Sequence, residues 1–383
     1  MALHGLEGGI SLSRLWDLLG FRTDRRQIVS GGILGYAKEQ TQDGIFTEII
    51  NGETYYFEVK NFANDGTYTV NATLGSSSSV NTRMVIAHYH GNLTINSGVK
   101  LTAVANSSGY CGPKGLFICV DGTLTNNGEI SMTARGASAA GQDVFICQNK
   151  DKSWEYVPAI GGNGGTGVIN QVDSTNPNIT RYMYGGHGVS GLNRGTGGGG
   201  GGSTYIVKST ANYVHAISKR GGHGTSYSGG PGGGGASAQN INGDLTHVAT
   251  PGSDTGGLGG EGNAQRRTTT HSMSAGGGAG NPGGYNFLNG SANGRTNSGT
   301  GGLLIVYAKN IVGIGTFTSK GSNVTSGLAG GGGNSGGGSV NVLGERIHIT
   351  SSPSASNWCA GGSAGNGGAG GDGSLIFTKI LLS

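Results

Sequence analysis

The stretch "TGGGGGGST" (Thr196–Thr204) sets six consecutive glycines, Gly197–Gly202, inside the chain. Such a run has no side chain to bury, so it can be ordered only through its own backbone. Four-glycine runs follow at Gly232–Gly235 and Gly330–Gly333, and 83 of the 383 residues are glycine, against ~7% in ordinary proteins. Gly/Ser segments by themselves behave as random-coil linkers. Two features oppose that reading here. The tracts (161–202, 221–302, 327–338 and 360–373) recur between strand-like segments, where long structureless loops are uncommon. Single Asn, Ser, Ala or Thr residues interrupt them, with almost no Glu or Lys to solvate them.

The ordered alternative is a bundle of polyglycine-II helices. A helix of the polyproline-II type has three residues per turn, a rise of ~3.1 Å and no internal hydrogen bonds. Packed side by side, such helices satisfy one another's N–H and C=O groups. Inward faces then exclude every side chain. A six-glycine run would span about 19 Å. This predicts that Gly197–Gly202 and Gly330–Gly333 are extended and buried, with non-glycine residues on outer faces or in turns. Collagen is excluded: "GGHGVSGLNRGTGG" (Gly185–Gly198) is read as holding no strict Gly-X-Y period, and the chain has only 7 prolines.

Between the tracts the chain repeats itself. "GLFICVDGTLTNNGEISMTARGA" (Gly115–Ala137) and "GLLIVYAKNIVGIGTFTSKGS" (Gly302–Ser322) share an apolar strand, a polar corner, a second strand, then a basic residue and glycine. Further copies fall near 203–221, 338–352 and 373–383. Each copy has a face that stacking on the next would bury. The predicted class is all-β: β-solenoid-like strand repeats alternating with polyglycine-II tracts, here assigned to 111–383. Residues 1–110 are expected to form a separate small β-rich module for attachment or oligomerisation. That module would hold one short helix, Ser11–Leu19, and a hairpin joining "TYYFEVKNF" to "TYTVNATL" through Asn64–Gly66.

Other classes are poorly supported. Net charge is +4, too small to point to nucleic acid. No apolar run approaches the ~18 residues of a membrane span. The N-terminal stretch places Arg22, Arg25 and Arg26 after its apolar part, unlike a signal peptide, so folding is expected in a cytoplasm. Cys111, Cys119, Cys147 and Cys359 show neither CxxC nor zinc spacing and are read as free, buried thiols. No P-loop, nucleophile elbow or HExxH is found, and the six-glycine run lacks the Gly-Lys-Ser/Thr of a phosphate loop. The expectation is no enzyme and no cofactor. In "HYH", His88 and His90 share one strand face and form a candidate metal pair. The reading adopted is two strand histidines and no metal.

Polyglycine tracts broken by polar, aromatic-bearing loops resemble the glycine-rich distal adhesins of T-even-type bacteriophage tail fibres. The stretch from "NLTINSGVKLTAV" through "GLFICVDGTLTNNGEISMTARGA" is similar to glycine-rich tail proteins of phages and prophages of Gram-positive hosts. The resemblance covers Asn92 to Ser383. It implies a virion tail protein, made in the host cytoplasm, that recognises a bacterial surface polysaccharide or protein. Its other partners would be tail proteins, with the chain a homotrimer or part of a multi-subunit tail. A purely structural tail or surface-fibre component is the alternative. Loop residues expected to meet the receptor are Tyr182, Tyr184, Arg266, Arg267, Tyr285, Phe287 and Trp358, because aromatic side chains and arginine anchor interfaces.

Overall fold

Continuous apolar runs such as Leu116–Val120 and Leu303–Ala308 mark parallel strands covered on both faces. Every residue of both runs is buried. The computed structural model describes residues 26–29, 31–76, 80–105, 111–173, 175, 178–210, 212–240, 243–265, 273–296, 298–324 and 328–382. The protein is mostly β, with 43% strand and 4% helix. The expected helix at 11–19 lies outside the described residues, as do Arg266 and Arg267. The helices that are described fall at Gly32–Glu39 and Ala355–Trp358 instead.

Four of the five repeat copies lie side by side. Leu116–Asn126, Leu303–Gly313, Ser339–Ile349 and Ser374–Leu382 are successive parallel strands of one 12-stranded sheet. Leu116 pairs with Leu304, and Leu304 with Val340. The second strands of the first two copies also pair in parallel, Ile130 with Phe317. The ends of the two copies stay in contact, the Ala134 N–H donating to the Lys320 carbonyl at 3.0 Å. One face of the long sheet packs against Ile33, Leu34 and Ala37 of the first helix. The other face buries Leu101, Ile130, Phe317 and Trp358.

Two features differ in form from the sequence expectations. Met84–Tyr89 pairs directly with Leu116–Asn126 across the expected boundary, and both share the same cores. The N-terminal strands thus extend the repeat sheet. The hairpin through Asn64–Gly66 is also absent. Gly66–Tyr68 pairs in parallel with Leu93–Ile95, and Ala72–Leu74 with Lys100–Ala103. The real hairpin joins Gly44–Ile50 to Glu53–Phe62. Its turn is Asn51-Gly52, with φ of 50° and 84°, the positive-φ pair that a tight hairpin favours. All four cysteines are buried and none is in a disulfide, as expected.

The copy near 203–221 stacks elsewhere. Its first strand, Thr204–Lys208, lies parallel to Ala236–Asn240 in a four-stranded sheet. Its second, Val214–Ile217, lies parallel to Leu245–Val248 in a three-stranded sheet. Val172, Ile206, Val214 and Leu245 fill the space between the two sheets. The partner unit, Ala236–Asn240 with Leu245–Val248, is missing from the sequence copies because its first strand, Ala-Ser-Ala-Gln-Asn, carries no large apolar residue.

The glycine tracts connect these strand blocks. Gly197–Gly202 and Gly330–Gly333 are buried throughout, as predicted. The amides of Gly197 and Gly200 donate to the carbonyls of Gly337 and Asn334. Those of Gly198 and Gly201 donate to Val189 and Gly186, and those of Gly199 and Gly202 to Gly222 and Lys219. The carbonyls of Gly197 and Gly200 accept from Gly230 and Gly233, those of Gly198 and Gly201 from Gly371 and Gly368, and that of Gly199 from Gly165. The six-glycine run is thus bonded on all sides, and each neighbour returns every third residue.

Candidate functional site

The segment Tyr182–Leu192 runs along the outside of this glycine frame. Every third residue faces inward: a Cβ on Gly185, Gly188 or Gly191 would lie 2.0, 2.2 or 2.3 Å from the carbonyl oxygens of Gly201, Gly198 and Gly195. Of the intervening positions, His187, Val189, Ser190, Leu192 and Asn193 are exposed and carry the side chains, whereas Gly186 sits against Thr166. Tyr184 is 69% exposed, Val189 54% and Leu192 77%. His187, one step from Tyr184 along the same row, is exposed and accepts the Ala369 N–H on Nδ1 at 3.0 Å. Three Gly-X-Y triplets, "GGHGVSGLN" (Gly185–Asn193), thus open the stretch that lacks a strict period. Their interruption at Arg194 is where the segment turns, with positive φ at Asn193 and Arg194.

Tyr182 lies at the head of this row, on the strand Ile179–Met183, and its ring stacks on Tyr205 across the strand pair at 4.4 Å. Burial, ahead of the neighbouring Tyr182 phenol, raises the pKa of the Tyr205 hydroxyl. Tyr205 and Phe287 pack against one small cluster of Ala264, Met273 and Ala275. Tyr182 and Phe287 therefore belong to one continuous end of the molecule. Tyr285 is half-buried under the Arg295 guanidinium, 4.2 Å from the ring centroid.

Trp358 does not belong to this surface. It is 5% exposed and wedged between Phe317 and Phe377 in the core of the long sheet. Its assignment to receptor contact is corrected: the glycine-rich sequence around it suggested a loop, whereas a short helix capped by Ser354 turns it inward. Met183, Val189 and Leu192 were missed as surface residues. The triplet spacing of the glycines was the available signal. His88 and His90 lie apart, on and just after Met84–Tyr89, with ring centroids 4.1 Å apart. No helix among the described residues is long and apolar enough to cross a membrane. No protein-family model, no curated protein and no solved structure matches the chain.

Proposed function

We propose that the glycine tracts form a polyglycine-II lattice, that the strand units stack on it in solenoid fashion, and that the whole is a phage tail protein binding a bacterial surface. The return of each hydrogen-bonded neighbour at every third residue supports the lattice reading. The parallel in-register copies support the stacking.

The observation that carries the adhesin reading is the outward face of the segment Tyr182–Leu192, with exposed Tyr184 in one row and exposed Val189 and Leu192 in the next. An exposed apolar strip is costly unless something covers it. Here it lies on a backbone whose amides are locked to neighbouring segments, so little ordering entropy is lost on contact. Tyr182 and Tyr184 supply flat, rigid faces suited to sugar rings or apolar receptor loops. The edge hairpin exposes Ile45, Ile49 and Tyr56, and this face is assigned to other tail proteins.

The test is retention of purified protein on cell-envelope fractions from a panel of bacteria. A Tyr184→Ser, Leu192→Ser double variant should lose about 10-fold or more in binding with an unchanged melting temperature. The reading fails if no envelope retains the wild type, or if the double variant binds as well.

A further inference from the structure

A second cluster, remote from that row in sequence, gathers on the long sheet. His88 and Cys119 are register partners on adjacent parallel strands. Asp121, two residues beyond Cys119, returns to the same face as His88 and His90. His88 Nε2 lies 3.1 Å from Asp121 Oδ2, and His90 Nδ1 lies 3.4 Å from the same oxygen. One ligand atom from each residue falls within 4.8 Å of the other two. Ligand atoms held tetrahedrally at the ~2.0–2.1 Å of zinc–nitrogen bonds sit about 3.3 Å apart.

The surrounding hydrogen bonds prepare these atoms for a cation. Asn61 directs its Nδ2 towards Asp43, which leaves its Oδ1 facing His90 Nε2 at 3.2 Å. That carbonyl oxygen can only accept, so Nε2 carries the proton and Nδ1 offers a lone pair. A lone pair and a carboxylate oxygen then face each other with nothing to donate between them. Lys38 takes the other oxygen, Oδ1, at 2.9 Å and fixes the carboxylate plane. His88 is 1% exposed at its side chain, while His90 and Asp121 are each 32% exposed, which leaves one side open. Cys119 is not among the clustered ligand atoms, which come from His88, His90 and Asp121.

We propose that His88 Nε2, His90 Nδ1 and Asp121 Oδ2 bind a divalent transition-metal ion, zinc by fit, with the remaining coordination position open to solvent or to a neighbouring subunit. Imidazole and carboxylate donors suit this class of ion. The ion would tie the N-terminal part of the long sheet to its first repeat strand. This site stands independently of the adhesin reading.

The experiment uses the full chain stripped with a chelator, then titrated with zinc by calorimetry. Cobalt serves as a second probe through its visible absorption. The wild type should take up one zinc per chain at micromolar concentration and give the bands of tetrahedral cobalt. His90→Ala and Asp121→Asn should each weaken uptake about 100-fold or more, and Asn61→Ala about 10-fold. His187→Ala, on the glycine frame, should change nothing. His90 and Asn61 lie near the surface, so these variants keep the test informative if His88 variants unfold. The proposal is overturned if the wild type takes up no zinc, or if His90→Ala and Asp121→Asn bind as the wild type does.

Discussion

A Cβ placed on Gly200 would lie 2.0 Å from the carbonyl oxygen of Gly368. No real contact is that short, so any side chain there must push two backbone segments apart. At Gly331 the nearest atom to such a Cβ is the Gly367 amide nitrogen at 3.2 Å. Neither residue has positive φ, so packing alone separates them. Gly200→Ala should strand several backbone groups at about 1–3 kcal/mol each. Gly331→Ala should cost about 1 kcal/mol or less. Calorimetric melting of the two variants should show a large drop for the first and a small one for the second. The same crowding holds at all of Gly197–Gly202, each within 2.2 Å of a carbonyl oxygen or less, so no position of the run is tolerant.

Asn334 uses its side chain to bond packed glycine segments together. It is fully buried, and its Nδ2 donates to the carbonyls of Ala364 and Gly368 at 2.8 and 2.9 Å. Its Oδ1 accepts from the amides of Val324 and Ala364. Asn334→Ala should destabilise by about 2–4 kcal/mol, because it leaves buried donors and acceptors unpaired. Asn334→Asp should be at least as damaging, since it loses both donated bonds and buries a charge. Thermal melts, with amide exchange at Val324 and Ala364, would check both.

Arg194 ties the end of the outward row to the long sheet. Its guanidinium pairs with buried Glu155 and donates to Asn341 Oδ1 at 2.7 Å and Thr378 Oγ1 at 2.8 Å. Arg194→Met should cost about 3–5 kcal/mol by removing the cation from this buried ion pair together with its bonds to Asn341 and Thr378. Adding Glu155→Gln should recover part of that loss. Denaturant unfolding of the single and double variants measures the coupling.

Acid should weaken the fold in two stages. His88 and His247 are both held below the ordinary imidazole range, chiefly by burial. The unfolded chain therefore takes up these protons first, and stability falls as pH drops below about 6.5. Asp43, Asp65, Asp173 and Asp254 are depressed, mainly by hydrogen bonds, in Asp254 from Arg220. Their contribution is present above their unfolded pKa and is lost as pH falls from about 4 towards the depressed folded values. Melting temperatures from pH 8 down to pH 3 should show both steps. His247→Gln should shrink the first and leave the second.

The amino-acid sequence by itself determined the all-β character, the burial of the glycine runs and the kinship of the repeat copies. These are local properties. A six-glycine run can be ordered only by backbone bonding, and an apolar run with a fixed corner repeats wherever it is copied. The spacing of Gly185, Gly188 and Gly191 also places Tyr184 and Leu192 on the two outward rows. Tertiary structure alone decided the rest. Whether Trp358 faces solvent or Phe317 depends on where a four-residue helix docks. Whether a strand ends a module or extends a sheet depends on pairing such as Val85 with Leu116, which lies far apart in the chain. Asp121 joins His88 and His90 only because parallel register brings their strands together, and glycine tracts set no rule for which of many equivalent neighbours they bond. That choice is made when all the segments close on one another, since each backbone donor must find a partner that its own sequence does not name.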